Sequence, residues 1–201
     1  MIFTLPQIKN SFEVFINNWF SKKELFEPVF DLYFGVFYNS NMYLPQRFLY
    51  LINALESYHR RFKKNYVLSK NEHKKRLALI LKTCPQEHEN WLKEKLQYCN
   101  EPSLKDRLQE TLEMLDHFIN PIITDKNRFI RKVVDSRNYY THFDDRLKSK
   151  RATGAELYDI SCKLQIMIEL ILLMSVGFPE AQIIEMMPNI QRYDFTANQG
   201  K

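Results

Sequence analysis

Glycine is scarce in this sequence: four in 201 residues, alongside eight prolines and three cysteines. So few glycines furnish neither a glycine-rich phosphate loop nor a collagen-like repeat, and the low proline count leaves no long disordered linker. Cys84, Cys99 and Cys162 form no Cys-x-x-Cys pair and stand near no histidine pair at ligand spacing. Neither a zinc site nor a disulfide framework is expected, and no metal or other cofactor. The opening residues 1–6 lack the basic region and apolar core of a secretory signal. The longest apolar run, 166–177, is interrupted by Glu169 and falls short of the roughly 20 residues that span a bilayer. A cytoplasmic protein with no membrane segment is the expectation. Strand-like alternation does not persist anywhere, and no internal repeat is found.

What the chain does have is apolar and aromatic mass. Hydrophobic residues make up 45% and aromatics 14%, enough for one sizeable core, so residues 1–201 are expected to form a single domain, with a core over about 8–190 and a polar tail at 191–201. The formal charge of +5 leans towards an anionic partner. Apolar residues recur at helical spacing over 8–20 and 22–37, with Ser21-Lys22-Lys23-Glu24 matching a capping box between them and Pro28 kinking or restarting the second helix. Further helices are expected over 44–65, 71–82, 86–98, 103–118, from 124 or 125 to 142, over 155–174 and over 179–187. The fold class is therefore all-α, a helical bundle.

Against that background, Arg137-Asn138-Tyr139-Tyr140-Thr141-His142 puts a cation, an amide and an imidazole together without an apolar explanation. Arginine is permanently charged and forked, so it grips a phosphate through two hydrogen bonds, and histidine exchanges a proton near neutral pH. Together they suit phosphodiester cleavage. In RNA the 2′-hydroxyl is an internal nucleophile, so a metal-free enzyme needs mainly a proton-transfer group and a cation to stabilise the crowded phosphate. The same requirement restricts cleavage to RNA.

Geometry adds a constraint. Five residues of helix turn through about 500°, leaving Arg137 and His142 about 140° apart, whereas Asn138 and His142 are i, i+4 neighbours. Either the helix bends or ends between them, or the arginine reaches round, or a second copy contributes across a two-fold axis. Symmetric pairing is the favoured solution, with Asn138 orienting the His142 ring. The plainer alternative pairs Arg137 with Asp135 or Asp144 and leaves His142 as a favourable charge at a helix C-terminus. Arg146, Lys148, Lys150 and Arg151 follow closely enough to track an RNA backbone, and Tyr140 is a candidate for stacking on a base. The clusters at 60–64 and 74–76 read as solvated helix ends, and His59, His73, His88 and His117 as surface or satisfied edge residues.

The segment Arg-Asn-x-x-x-His on a late helix of an all-α chain resembles the Arg-x(4–6)-His signature of the HEPN superfamily. Residues 135–144 are similar in particular to the ApeA-like HEPN domains of bacterial anti-phage defence proteins, and so is the earlier run 47–61, where Ala54-Leu55-Glu56 is followed by aromatic and basic residues. The resemblance extends from near residue 10 to near residue 190. It implies an HEPN-like bundle with additional helices and a metal-independent, usually homodimeric endoribonuclease toxin acting in abortive infection. Carried over, Arg137 stabilises phosphate charge, His142 transfers protons and Asn138 is the polar partner. Glu56 is a further candidate, a carboxylate on a facing helix able to hold Arg137 or His142, or else paired with Arg60 on its own helix. In HEPN toxins paired with nucleotidyltransferases the histidine is followed, after one residue, by a modifiable tyrosine; that place is Asp144 here. ApeA-like proteins commonly carry a further N-terminal region, so this chain is expected to be a stand-alone domain or part of a longer protein, with a regulatory domain or inhibitor as a partner. The alternative function is a non-catalytic module using the same fold for dimerisation or for nucleotide or RNA binding.

Overall fold

The computed structural model describes residues 4–189 and residue 193. Helix α1, Leu5–Ile8, leads through a 3-10 turn into α2, Phe12–Phe37, and α3, Leu44–Phe62. There follow α4, Lys70–Lys82; α5, Glu89–Lys95; α6, Leu104–Met114; α7, Asp116–Ile119; α8, Lys126–His142; α9, Gly154–Val176; and α10, Glu180–Met186. No strand occurs among the described residues. None of their helices is long and apolar enough to cross a membrane. Of the polar tail at 191–201, all but Tyr193 lies outside the described residues.

Helix α3 is the hub, touching α2, α6, α8 and α9. It buries Phe48, Leu51, Ile52, Leu55 and Tyr58, while α9 is apolar around most of its girth, with Leu157, Ile160, Leu164, Met167 and Ile168 all enclosed. Each such side chain contributes about 1.5–3 kcal/mol on leaving water, so α2, α3 and α9 form the platform on which α6 and α8 rest. Polar side chains inside it bond to one another. Gln165 Oε1 accepts from Arg47 Nη2 at 2.7 Å, and Glu169 Oε1 accepts from Gln165 Nε2 at 3.1 Å and from Tyr33 Oη at 2.8 Å. Glu169 and Gln165, both on α9, together tie α2 and α3 to it in the middle of an apolar run.

Helix α2 differs from expectation, because it runs unbroken through both Ser21 and Pro28. Ser21 caps nothing: its hydroxyl donates back to the Asn18 carbonyl at 3.1 Å. Pro28 has no N–H, which deprives the Glu24 carbonyl of its helical donor. Arg61 of α3 supplies the replacement, donating from Nη1 to Glu24 O at 3.2 Å and to Leu25 O at 3.3 Å. The helices expected over 86–98 and 103–118 are each shorter and divided, at 3-10 residues Gln86–His88 and at Leu115.

Helix α8 starts where Asp125 Oδ1 accepts the Arg128 N–H at 2.9 Å, and it buries Phe129, Ile130, Val133 and Ser136 against the bundle. The loop that follows is clamped back onto it at Ala152. Ala152 N donates to Ser136 Oγ, and Ala152 O accepts from Tyr140 Oη, both at 2.8 Å. By contrast α4 and α5 bury no residue. They form an outlying hairpin tied at its root, where Asn100 bonds both the N–H and the carbonyl of Leu68. Hydrogen exchange should therefore find the amides of α4 and α5 at least about a hundredfold less protected than those of α9; equal protection would contradict this division of the fold.

Candidate functional site

Arg137 lies on the flank of α8 that faces α3, because the buried positions Ile130 and Val133 on the same flank dock there. Its Nη2 is 3.5 Å from Glu56 Oε2, and its Nη1 donates to Asn138 Oδ1 at 3.3 Å. The contact with Glu56 is long for an ion pair, and the Arg137 side chain keeps 29% of its surface exposed. Of five N–H donors, at least three remain free for a ligand. The partner of Arg137 is thus neither Asp135 nor Asp144.

Glu56 is shared. Its second oxygen accepts from Arg60 Nε at 3.4 Å and Nη2 at 3.3 Å, so it faces the cation on its own helix and the one on α8 at once. Arg60 Nη1 in turn donates to Glu101 Oε2 at 2.7 Å, and Arg107 Nη2 lies 3.6 Å from the same oxygen. Arg107 is 2% exposed, a guanidinium enclosed between α3 and α6. It donates from Nη2 to Asn65 Oδ1 at 2.5 Å, and its Nη1 lies 3.0 Å from His59 Nδ1. Burial, together with the nearby Arg60 charge, lowers its pKa from arginine's ordinary value.

A guanidinium only donates, which fixes the tautomer of His59: Nδ1 accepts, and the proton sits on Nε2, 2.8 Å from Glu110 Oε2. His59 is therefore no surface residue; it is wholly buried and bonded through both nitrogens. Nor is the 60–64 cluster simply a solvated helix end, since Arg60 and Arg61 both bind other parts of the chain. Arg137, Glu56, Arg60, Glu101 and Arg107 form a row of alternating charge that ends on this buried histidine. Sequence reasoning missed Arg107, Glu101, Asn65 and Glu110. One signal was present: Arg107 occupies the apolar stripe of α6 with Leu108, Thr111 and Leu112, as His59 does on α3 with Ile52, Leu55 and Phe62.

His142 is the last residue of α8 and is exposed; among the described residues nothing hydrogen-bonds its ring, and the charge it faces is that of Asp144. Asn138 gives its oxygen to Arg137 and does not hold the imidazole. The helix neither bends nor ends between Arg137 and His142; it ends just after them, at Phe143, whose φ of 51° is left-handed. Phe143 N donates to Tyr139 O at 2.6 Å, while its ring is left 69% exposed. A bulky residue in this conformation costs on the order of 1–2 kcal/mol, strain placed immediately beside the motif.

The other expected contacts to RNA divide. Arg146 is held in a fork by Asp144, with three bonds between 2.7 and 3.2 Å, and this holds the Asp144 carboxyl below its ordinary range. Arg151 lies 4.2 Å above the Tyr139 ring and donates to Lys148 O. Tyr140 is turned inward, against Phe48 and onto Ala152, and burial raises its phenol pKa. Lys148 and Lys150 are exposed, and among the described residues their ammonium groups form no ion pair. Among the described residues no group of three or more histidine, cysteine, aspartate or glutamate side chains is arranged to hold a metal, and Cys84 and Cys99 form no disulfide.

No curated protein and no solved structure matches the chain. The family model for Apea-like HEPN matches residues 49–182, two thirds of the length, from within α3 into α10. That span contains Glu56, Arg107, Arg137 and His142. The chain belongs to the Apea-like HEPN family.

Proposed function

We propose that this protein is a metal-independent endoribonuclease acting in anti-phage defence, whose Arg137 and His142 work as halves of a site completed across a homodimer. The observation that carries this reading is the divergence of the two side chains on an unbroken helix: Arg137 turns to α3 and Glu56, while His142 stands at the exposed helix end, near the Asp144 carboxylate. Two copies meeting at these helix ends bring the arginine of one beside the histidine of the other.

In the reaction the ribose 2′-oxygen forms a bond to phosphorus and the bond to the 5′-oxygen breaks. The His142 imidazole of the site takes the 2′-hydroxyl proton, and the imidazolium so formed gives a proton to the leaving 5′-oxygen, so the products are a 2′,3′-cyclic phosphate and a 5′-hydroxyl. The added charge on the equatorial oxygens is met by the free N–H groups of Arg137. Glu56 is a positioning residue. Shared between Arg60 and Arg137, it fixes the direction of the Arg137 guanidinium without neutralising it fully. A cytoplasmic setting and restraint by a regulatory domain or an inhibitor partner belong to the same reading.

Purified protein should cleave single-stranded RNA in EDTA and leave a 2′,3′-cyclic phosphate. Arg137→Ala or His142→Ala should lower the rate by at least about a hundredfold with the helical circular dichroism unchanged. Intact RNA with a confirmed dimer would contradict the enzymatic reading. Glu56→Gln should lower kcat about tenfold without raising KM, because a repulsive charge is removed as the arginine loses its aim; a rise in KM alone would assign Glu56 to binding.

A further inference from the structure

The face of α8 that carries His142 also carries an open cleft. Between α6 and α8 lies a hollow of about 350 Å³ lined by Lys105, Asn127, Ile130, Arg131, Val134 and Asp135. On a helical projection Asn127, Arg131, Val134, Asp135, Asn138 and His142 all fall within an arc of about 100°, and the floor residue Ile130 lies about 40° beyond its edge, on the side towards Arg137. Along the axis Arg131 and His142 are about 16 Å apart at 1.5 Å per residue, a distance that a few nucleotides of single strand cover. The cleft thus runs along the line on which the proton-transfer group sits.

Its chemistry differs from that of the basic loop after α8. There the guanidinium of Arg146 is taken up by Asp144, and that of Arg151 by the Tyr139 ring and Lys148 O. Among the described residues the side chains of Lys105 and Arg131 form neither an ion pair nor a hydrogen bond, and those of Asn127 and Asp135 form no hydrogen bond. The floor is apolar, formed by Ile130, itself 2% exposed, and Val134. A surface with an apolar floor, two unengaged cations, one amide and one carboxylate matches a nucleotide unit. The base and ribose lie on Ile130 and Val134, a phosphate takes Lys105 and Arg131, and the Asn127 amide and Asp135 carboxylate face base edges or a 2′-hydroxyl. The volume is at the small end of ligand-sized pockets, about 300–1,000 Å³, which suits one nucleotide and excludes a duplex.

We infer that the α6–α8 cleft is an accessory subsite that holds one nucleotide of a single RNA strand, a few positions from the phosphate that is cut. The inference rests on the proposed ribonuclease activity and specifies its substrate as single-stranded RNA longer than the cleaved linkage. Charge complementarity and continuity with the His142 face select RNA as the occupant.

The test compares two substrates and adds a binding measurement. With Lys105→Ala and Arg131→Ala combined, KM for a single-stranded oligonucleotide that reaches from His142 to Arg131 should rise about tenfold, with kcat unchanged. Cleavage of a dinucleotide, which is too short to reach the cleft, should not change. Equal loss on both substrates, or none on the longer one, would overturn the subsite. Binding of labelled oligonucleotide to His142→Ala protein, read by fluorescence anisotropy, keeps this independent of catalysis. Adding the double substitution should weaken that binding and reduce its dependence on salt by the equivalent of about one phosphate contact. If this occurs while no form of the protein cleaves RNA, the ribonuclease reading falls and the subsite stands. If the double variant dissociates a wild-type dimer on size-exclusion chromatography, the cleft belongs to a subunit interface and the subsite is overturned.

Discussion

The register of α8 is the constraint from which the rest of this site follows. A helix advances about 100° per residue, so three faces of the same seventeen-residue element are assigned at once. Burying Phe129, Ile130, Val133 and Ser136 turns Arg137 towards Glu56 on α3 and leaves Asn127, Arg131, Asn138 and His142 looking outward. Nothing within a single chain brings the imidazole to the guanidinium. The core thereby sets the accessibility of the histidine and, on the proposed reading, calls for a second copy to complete the site.

Arg137 is placed by electrostatics as well as by packing. A carboxylate devoted to one arginine would compete with a phosphate for it; Glu56 divides its two oxygens between Arg60 and Arg137. Arg60 is drawn away by Glu101, and Glu101 is anchored beside Arg107, whose burial is tolerated because Asn65 and His59 accept from it. Enclosing a charge is costly unless it is paired and bonded, and such networks specify an arrangement more than they add stability. Here the arrangement specified is the spacing between α3, α6 and α8 on which the arginine depends. Arg61 adds to it at the other end of the same segment, completing the α2 turn that Pro28 leaves without a donor.

The helical class, the order of the helices and the exposed end of α8 were legible in the sequence, since apolar spacing and the breaks at Asn39, Pro85 and Pro121 report burial directly. The continuity of α2 was not. Pro28 and Ser21 are local stop signals, overridden by a donor thirty-three residues beyond Pro28 that no local pattern reveals. The motif on α8 was visible because its residues are adjacent. The charged row behind it was not, because its members come from α3, the turn before α6, and α6 itself. Arg146 and Tyr140 were singled out by residue type for contact with RNA, and their intrachain partners, Asp144 and Ala152, are ones that residue type does not reveal. The family match, from α3 to α10, covers both the motif and the buried row.

The most direct measurement mixes two inactive proteins. Arg137→Ala and His142→Ala chains are combined under conditions that allow subunits to exchange, and RNA cleavage is followed. If each site takes its arginine from one chain and its histidine from the other, half of the dimers are mixed and one of their two sites is whole, so about a quarter of the wild-type rate returns. A mixture as inactive as either variant alone, with exchange demonstrated, would contradict a site shared between two chains.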